Sequence, residues 1–162
     1  VDKLRDFRGV NMLCDIGNGT MNVMYINDCR PQGNKYFTEK YGTYQCMLLV
    51  RENLMRQFGA AVDDAIIERA IRHGTADISE RYLTAIRETA TEYVAGIFRR
   101  LREHEYDPEL MRLYMVGGGC CMVKNFGQYE AGRVEVINDI CATAKGYEFL
   151  AEKKLSKGGG MV

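Results

Sequence analysis

The segment DIGNGT, residues 15–20, places one carboxylate and two glycines ahead of a threonine, between two apolar runs. Glycines let backbone N–H groups approach phosphate oxygens closely, and the Thr20 hydroxyl adds a further donor. The Asp15 carboxylate could hold Mg²⁺ through water molecules, because Mg²⁺ usually keeps several of its waters. The segment therefore indicates a phosphate site. The alternative is a tight hairpin, in which the glycines only supply the positive φ angles of the turn.

Three consecutive glycines, residues 117–119, follow a second apolar run and precede a predicted helix. Such a stretch leaves a surface without side chains, on which a ribose and an adenine ring could lie. The alternative is a packing requirement at the joint between a strand and a helix. We refer to residues 17–20 as the hairpin turn and to residues 117–119 as the triglycine turn.

The elements that must position these turns follow from the apolar pattern. Strands are predicted at 10–14, 21–26, 35–42, 110–116 and 134–137, with a turn over 27–34 that contains Pro31, Gly33 and Asn34. Helices are predicted at 44–58, 63–73, 120–129 and 139–154, and a long helix is predicted to include Tyr82 to Leu101.

Helix ends and faces have their own signals in the sequence. Gly59 is placed to end the first helix, and Asp77 with Glu80 has the spacing of a capping box before the long helix. The long helix carries one apolar stripe, which is predicted to lie in the core and consists of Tyr82, Ile86, Tyr93, Ile97 and Leu101.

This order of elements predicts an α/β fold with a five-stranded mixed sheet of order 3-2-1-4-5 and helices on both faces. The first strand is then the point at which the strand order reverses. Open sheets of this kind bind ligands beyond the carboxyl ends of the strands at that point, so both glycine turns should line one cleft.

Composition excludes several function classes. Lys and Arg total 22 and Asp and Glu total 22, so no net field attracts nucleic acid or anionic lipid. No apolar run approaches the roughly 18 residues of a membrane span, and residues 1–15 do not resemble a signal peptide. The six cysteines have no CxxC spacing, which argues against structural zinc. We expect a cytoplasmic protein with reduced thiols.

The two glycine motifs together resemble a known superfamily. CDIGNGTMNV is similar to the second phosphate motif of the actin, sugar kinase and heat-shock chaperone ATPases, and LYMVGGGCCMV is similar to their adenosine motif. The separation of the motifs and the element order agree with this ribonuclease H-like fold. The closest likeness is to the C-terminal domain of bacterial actin-like plasmid segregation proteins of the ParM/StbA type.

The resemblance implies ATP or GTP with Mg²⁺ as ligands. Asp15 would be the catalytic and metal-binding residue. The phosphates would be contacted by Gly17, Asn18, Gly19 and Thr20. The nucleoside would be contacted by Gly117, Gly118, Gly119 and Cys120. For the charged residue that contacts the ribose in this superfamily, Arg72 and Lys124 are the candidates.

The resemblance also implies that residues 1–155 are the second half of a two-domain protein. The tail SKGGGMV, residues 156–162, is expected from its composition to be disordered. The complete protein would polymerise with ATP and move plasmid or phage DNA through a DNA-bound adaptor, without contacting nucleic acid or membrane itself. The isolated chain would bind nucleotide weakly and hydrolyse it poorly or not at all, because the opposing phosphate turn is missing. Two alternatives are a carbohydrate kinase or activator ATPase of the same superfamily, and a non-enzymatic scaffold.

Overall fold

A five-stranded sheet forms the centre of the computed structural model, which describes residues 8–137, 141, 144–146 and 148. Its strands are β1 (Val10–Ile16), β2 (Met21–Asn27), β3 (Arg30–Glu39), β4 (Arg112–Val116) and β5 (Val134–Val136). They lie in the order β3-β2-β1-β4-β5, with β1 antiparallel to β2 and parallel to β4. The predicted mixed sheet and its strand order are confirmed.

Four helices pack with the sheet in one hydrophobic core. They are α1 (Thr43–Phe58), α2 (Asp64–His73), α3 (Glu80–Glu103) and α4 (Cys120–Phe126). Alternate β1 side chains enter this core, namely Met12, Cys14 and Ile16, as expected for one face of a pleated strand. Of the predicted helix over 139–154, on which a helix layer on the second face depends, the structure describes only residues 141, 144–146 and 148, and residues 144–146 and 148 are helical. The predicted tail at 156–162 lies outside the described residues.

The ends of α1 and α2 follow from local chemistry. Gly59 adopts a left-handed conformation with φ 63° and its N–H donates to the Met55 carbonyl at 2.9 Å, so α1 ends where predicted. Asp63 caps α2, because its Oδ1 accepts a hydrogen bond from the Ala65 N–H at 2.8 Å.

The start of α3 differs from the prediction. The expected capping box of Asp77 with Glu80 is wrong, because Glu80 is itself the first helical residue and Ser79 is the N-cap. The Glu80 carboxylate instead pairs with Arg87, seven residues further along the helix, at 3.1 Å. Within the described ranges, no helix combines the length and the hydropathy that a membrane span requires.

The connection between β2 and β3 also differs from the prediction. Instead of a turn over 27–34, two residues make the turn, Asp28 with φ 45° and Cys29 with φ 62°. The Asp28 Oδ1 accepts a hydrogen bond from the Gly9 N–H at 2.8 Å, which holds this strained turn. β3 therefore begins at residue 30 and includes Pro31, which a sheet edge tolerates because its missing N–H faces no neighbouring strand.

Alkaline pH is expected to destabilise this fold through its buried tyrosines. Burial, with a smaller contribution from the Glu105 carboxylate, raises the pKa of Tyr25 to about 12. The Tyr25 hydroxyl donates a hydrogen bond to the His104 carbonyl. Burial also raises the pKa of Tyr106. These folded-state pKa values lie above the unfolded value near 10. The stabilisation that the two tyrosines contribute is therefore fully present below pH ~10 and is lost as pH rises toward 12.

Urea unfolding between pH 8 and pH 12, followed by circular dichroism, measures this loss. We expect a constant midpoint up to pH ~10 and a progressive fall above it, accompanied by tyrosinate absorbance. A midpoint that stays constant to pH 12 would contradict the prediction.

Candidate functional site

The two glycine turns lie at the same edge of the sheet. β1 and β4 are parallel neighbours, and Asp15 in β1 is directly opposite Val116 in β4. The hairpin turn follows β1 and the triglycine turn follows β4, so both turns leave the carboxyl ends of adjacent strands. This is the position at which the strand order reverses.

The hairpin turn is held against the start of α1. Its own closing bond runs from the Gly17 N–H to the Thr20 carbonyl at 2.9 Å. The Gly17 carbonyl accepts a hydrogen bond from the Thr43 N–H at 3.2 Å, and the Asn18 carbonyl accepts one from the Tyr44 N–H at 2.8 Å. Two of the N–H groups that a helix start leaves without intrahelical partners are thereby satisfied by the turn.

These bonds set the direction of two further donors. In a trans peptide the C=O and the N–H point in opposite directions, and no described peptide bond is cis. Because the carbonyls of Gly17 and Asn18 point toward α1, the N–H groups of Asn18 and Gly19 point away from it. Neither of these N–H groups donates to a backbone acceptor among the described residues. Successive N–H groups presented in this way form an anion-binding concavity.

The triglycine turn is packed against β1. The Gly119 N–H donates to the Ile16 carbonyl at 2.8 Å, and a Cβ on Gly119 would lie 2.9 Å from the Ile16 Cβ. Gly117 has φ 93°, and a Cβ there would overlap the Asp15 carboxylate. Only Gly118 faces open space, without a contact within 4 Å of a built Cβ. The packing interpretation therefore accounts for two of the three glycines.

Two cysteines follow the triglycine turn. The Cys120 side chain is buried. This burial, with a smaller contribution from the Asp15 carboxylate, raises the pKa of its thiol to about 12. Cys120 can therefore offer a ligand only its backbone. The half-buried Cys121 donates its thiol hydrogen to the Gly118 carbonyl at 3.2 Å.

The charged residues near this edge come from α2. Burial raises the pKa of Cys121, and the Arg72 guanidinium is among the groups that oppose this rise. Arg72 pairs with Glu68 at 2.6 Å. The Asn125 side chain donates to the Arg72 carbonyl at 2.9 Å, which ties the end of α2 to α4. Lys124, the other candidate, is exposed on α4.

The Asp15 carboxylate lies at this edge, beside Gly117. Within the described part of the chain, no three side chains of His, Cys, Asp or Glu are grouped closely enough to hold a metal by themselves. Mg²⁺ suits such a position, because it usually takes one or two carboxylates and completes its shell with water and phosphate. The residues present therefore fit Mg²⁺ held together with a phosphate ligand.

Two surface cavities lie away from both turns. One of about 500 Å³ is between α1 and α3, and one of about 430 Å³ is beside α3, α4 and β5. Neither is lined by a residue of the hairpin turn or the triglycine turn. Asn18, Gly19 and Gly118, at the tips of the two turns, are exposed.

The contact between the hairpin turn and α1 was not predicted from the sequence. The one local feature of the sequence that indicates this contact is Gly42, directly before the helix. A Cβ on Gly42 would lie 2.6 Å from the Asn18 carbonyl carbon, so only glycine permits this approach.

One family model matches most of the chain. Residues 13–127 match the family model described as archaeal actin homologue MreB-like, C-terminal. Comparison with curated protein sequences finds no match.

Solved structures share the fold at low sequence identity. The apo ParM of pSK41 has a TM-score of 0.68 at 15% identity, over 93% of this chain and 43% of that one. The archaeal actin homologue Ta0583 has a TM-score of 0.63 at 21% identity, over 90% and 49% of the two chains. Ta0583 has also been solved with ADP.

A third similar structure is ParM from Bacillus thuringiensis with ATP, with a TM-score of 0.59 at 13% identity, over 84% of this chain and 43% of that one. The present chain thus spans about half the length of the structures it resembles.

Proposed function

Since this chain belongs to the MreB-like C-terminal family of archaeal actin homologues within the actin-like ATPases, we propose that it supplies one wall of a nucleotide-binding cleft. The ligand is ATP or GTP with Mg²⁺. The observation that carries the proposal is the pair of outward N–H groups of Asn18 and Gly19, in the turn that follows Asp15, whose carboxylate borders the triglycine turn at Gly117. Donors and a metal-binding carboxylate at one edge are what a nucleotide phosphate chain requires.

Each element of the edge has a role in this proposal. Backbone N–H groups of the hairpin turn and the Thr20 hydroxyl bind phosphate oxygens. Asp15 holds Mg²⁺, which when bound neutralises phosphate charge. The triglycine turn and the Cys120 backbone lie against the nucleoside, where Gly118 leaves room for a ring. Arg72, whose carbonyl accepts a hydrogen bond from the Asn125 side chain of α4, supplies a charged contact at the nucleoside end.

The complete protein would need a second domain. The likeness to structures about twice as long supports residues 1–155 as the C-terminal half of a two-domain actin-like ATPase. We propose that the complete protein forms filaments with ATP, as a ParM-type system that moves DNA through an adaptor. Light scattering of the full-length protein with and without ATP tests the filament; an unchanged signal would favour a kinase or activator ATPase instead.

An amide ¹H–¹⁵N NMR titration of this chain with Mg-ATP at millimolar concentration tests the site. We expect selective shifts in the hairpin turn and the triglycine turn, since one wall of a cleft binds weakly but locally. Asp15→Asn should weaken the Mg²⁺-dependent affinity at least fivefold, because the amide is neutral and a poorer ligand for a hard cation.

The control is Asp77→Asn, which removes the same charge at an exposed position between α2 and α3 and should leave the affinity unchanged. Absence of shifts at both turns would make their glycines structural only and would favour the scaffold. Equal losses in both variants would show that net charge, and not Asp15, governs binding.

A further inference from the structure

A buried tyrosine of α3 is hydrogen-bonded to the peptide that supports the hairpin turn. The Tyr93 side chain is 3% exposed, and its hydroxyl donates to the Gly42 carbonyl at 2.8 Å. The helical bond to the same carbonyl, from the Cys46 N–H, is longer at 3.5 Å. Tyr93 is therefore the closer donor to this carbonyl at the start of α1.

The Gly42 carbonyl belongs to the same peptide unit as the Thr43 N–H. That N–H donates to the Gly17 carbonyl at 3.2 Å, and the Gly17 carbonyl shares a peptide unit with the Asn18 N–H. A continuous series of hydrogen bonds thus runs from Tyr93 through two planar peptides to a donor at the tip of the turn. Hydrogen bonds in series polarise one another, so each strengthens the next.

Tyr93 is held rigidly in this position. Its ring stacks on Tyr41 with centroids 4.1 Å apart and an interplanar angle of 3°. The Tyr41 hydroxyl donates to the Tyr93 carbonyl at 3.2 Å, and the Arg100 guanidinium lies 3.8 Å from the Tyr41 ring centroid. Burial raises the pKa of Tyr93, so its hydroxyl keeps the proton that it donates.

We propose that Tyr93 is a positioning residue for phosphate binding, which orients and polarises the Asn18 N–H through the Gly42 peptide. This rests on the proposed function of the hairpin turn. Tyr93 does not touch the ligand; removal of its hydroxyl changes the turn and leaves the ring packing in place. No residue of the turn needs to change for the affinity to fall.

Tyr93→Phe tests the proposal, with Tyr82→Phe as the control. Tyr82 lies on the same helix and is partly buried against Phe58, but its hydroxyl partner is the Arg81 side chain and not α1. In Tyr93→Phe without ligand, we expect at least fivefold faster amide exchange at Thr43 and an upfield shift of the Asn18 amide proton. The affinity for Mg-ATP should fall three- to tenfold. Tyr82→Phe should show none of these effects.

The two readouts separate this proposal from the one on which it rests. If the wild-type chain does not respond to Mg-ATP, the proposed function fails, while the Thr43 exchange and the Asn18 shift still decide whether Tyr93 orients the turn. If Tyr93→Phe matches the wild type in both ligand-free readouts, the proposal is overturned. If these readouts change and the affinity does not, the orientation holds and its role in binding is overturned.

Discussion

Replacing Gly119 with alanine is expected to destabilise the protein by about 2–3 kcal/mol, because the added methyl group overpacks the joint between β1 and α4. The new Cβ would lie 2.9 Å from both the Cβ and the carbonyl oxygen of Ile16, which is fully buried. Backbone atoms cannot rotate out of the way as a flexible side chain can. Urea unfolding followed by circular dichroism measures the difference.

The neighbouring glycine provides the control. Gly118→Ala makes the same chemical change where nothing lies within 4 Å of the new Cβ, and we expect a change within about 0.5 kcal/mol. Equal unfolding midpoints for the two variants would mean that the joint is looser than its distances indicate.

Replacing Gly42 with alanine is expected to push the hairpin turn away from α1. Gly42 is buried, and its Cβ would lie 2.6 Å from the Asn18 carbonyl carbon and 2.7 Å from the Gly17 carbonyl oxygen. The bonds that fix the outward N–H groups would lengthen. We therefore expect the affinity for Mg-ATP, measured by the NMR titration, to fall more than tenfold. A tenfold loss corresponds to about 1.4 kcal/mol of binding free energy.

Gly33→Ala is the matched control for this change, because Gly33 is exposed in β3 and its Cβ would meet nothing within 4 Å. It should leave the affinity unchanged. Amide shifts confined to the start of α1 and the hairpin turn would show that Gly42→Ala acts locally. Normal binding by Gly42→Ala would separate phosphate binding from the position of the turn.

Much of the fold could be predicted because its signals are local. β1 and β2 are short apolar runs around a turn, and α1 has helical periodicity and ends at Gly59. The errors occurred where several local signals compete. The residues Pro31, Gly33 and Asn34 favour a turn, yet the chain turns earlier, at Asp28 and Cys29, because the contact with Gly9 stabilises it there.

The candidate site was predictable in position and less so in detail. Strand order alone predicts that both turns meet at one edge. The sequence could not separate the glycines that packing requires, Gly117 and Gly119, from the one that faces open space, because that depends on distances to Ile16. The support of the hairpin turn by α1 could not be predicted either, because it depends on how closely two backbones approach each other at Gly42. Ligand contacts of the site residues stay predictions.

The position of β1 in the sheet also has a consequence for the folding pathway. The hairpin turn depends on β2 and α1, which are close in the chain, whereas Asn11 in β1 pairs with Arg112 in β4. Such long-range pairings close a large loop and form late. The hairpin turn can thus be present in a partly folded chain in which the triglycine turn does not yet pack against β1. A ligand that contacts both turns would then bind the folded chain in preference to the partly folded one, and so would stabilise the folded state.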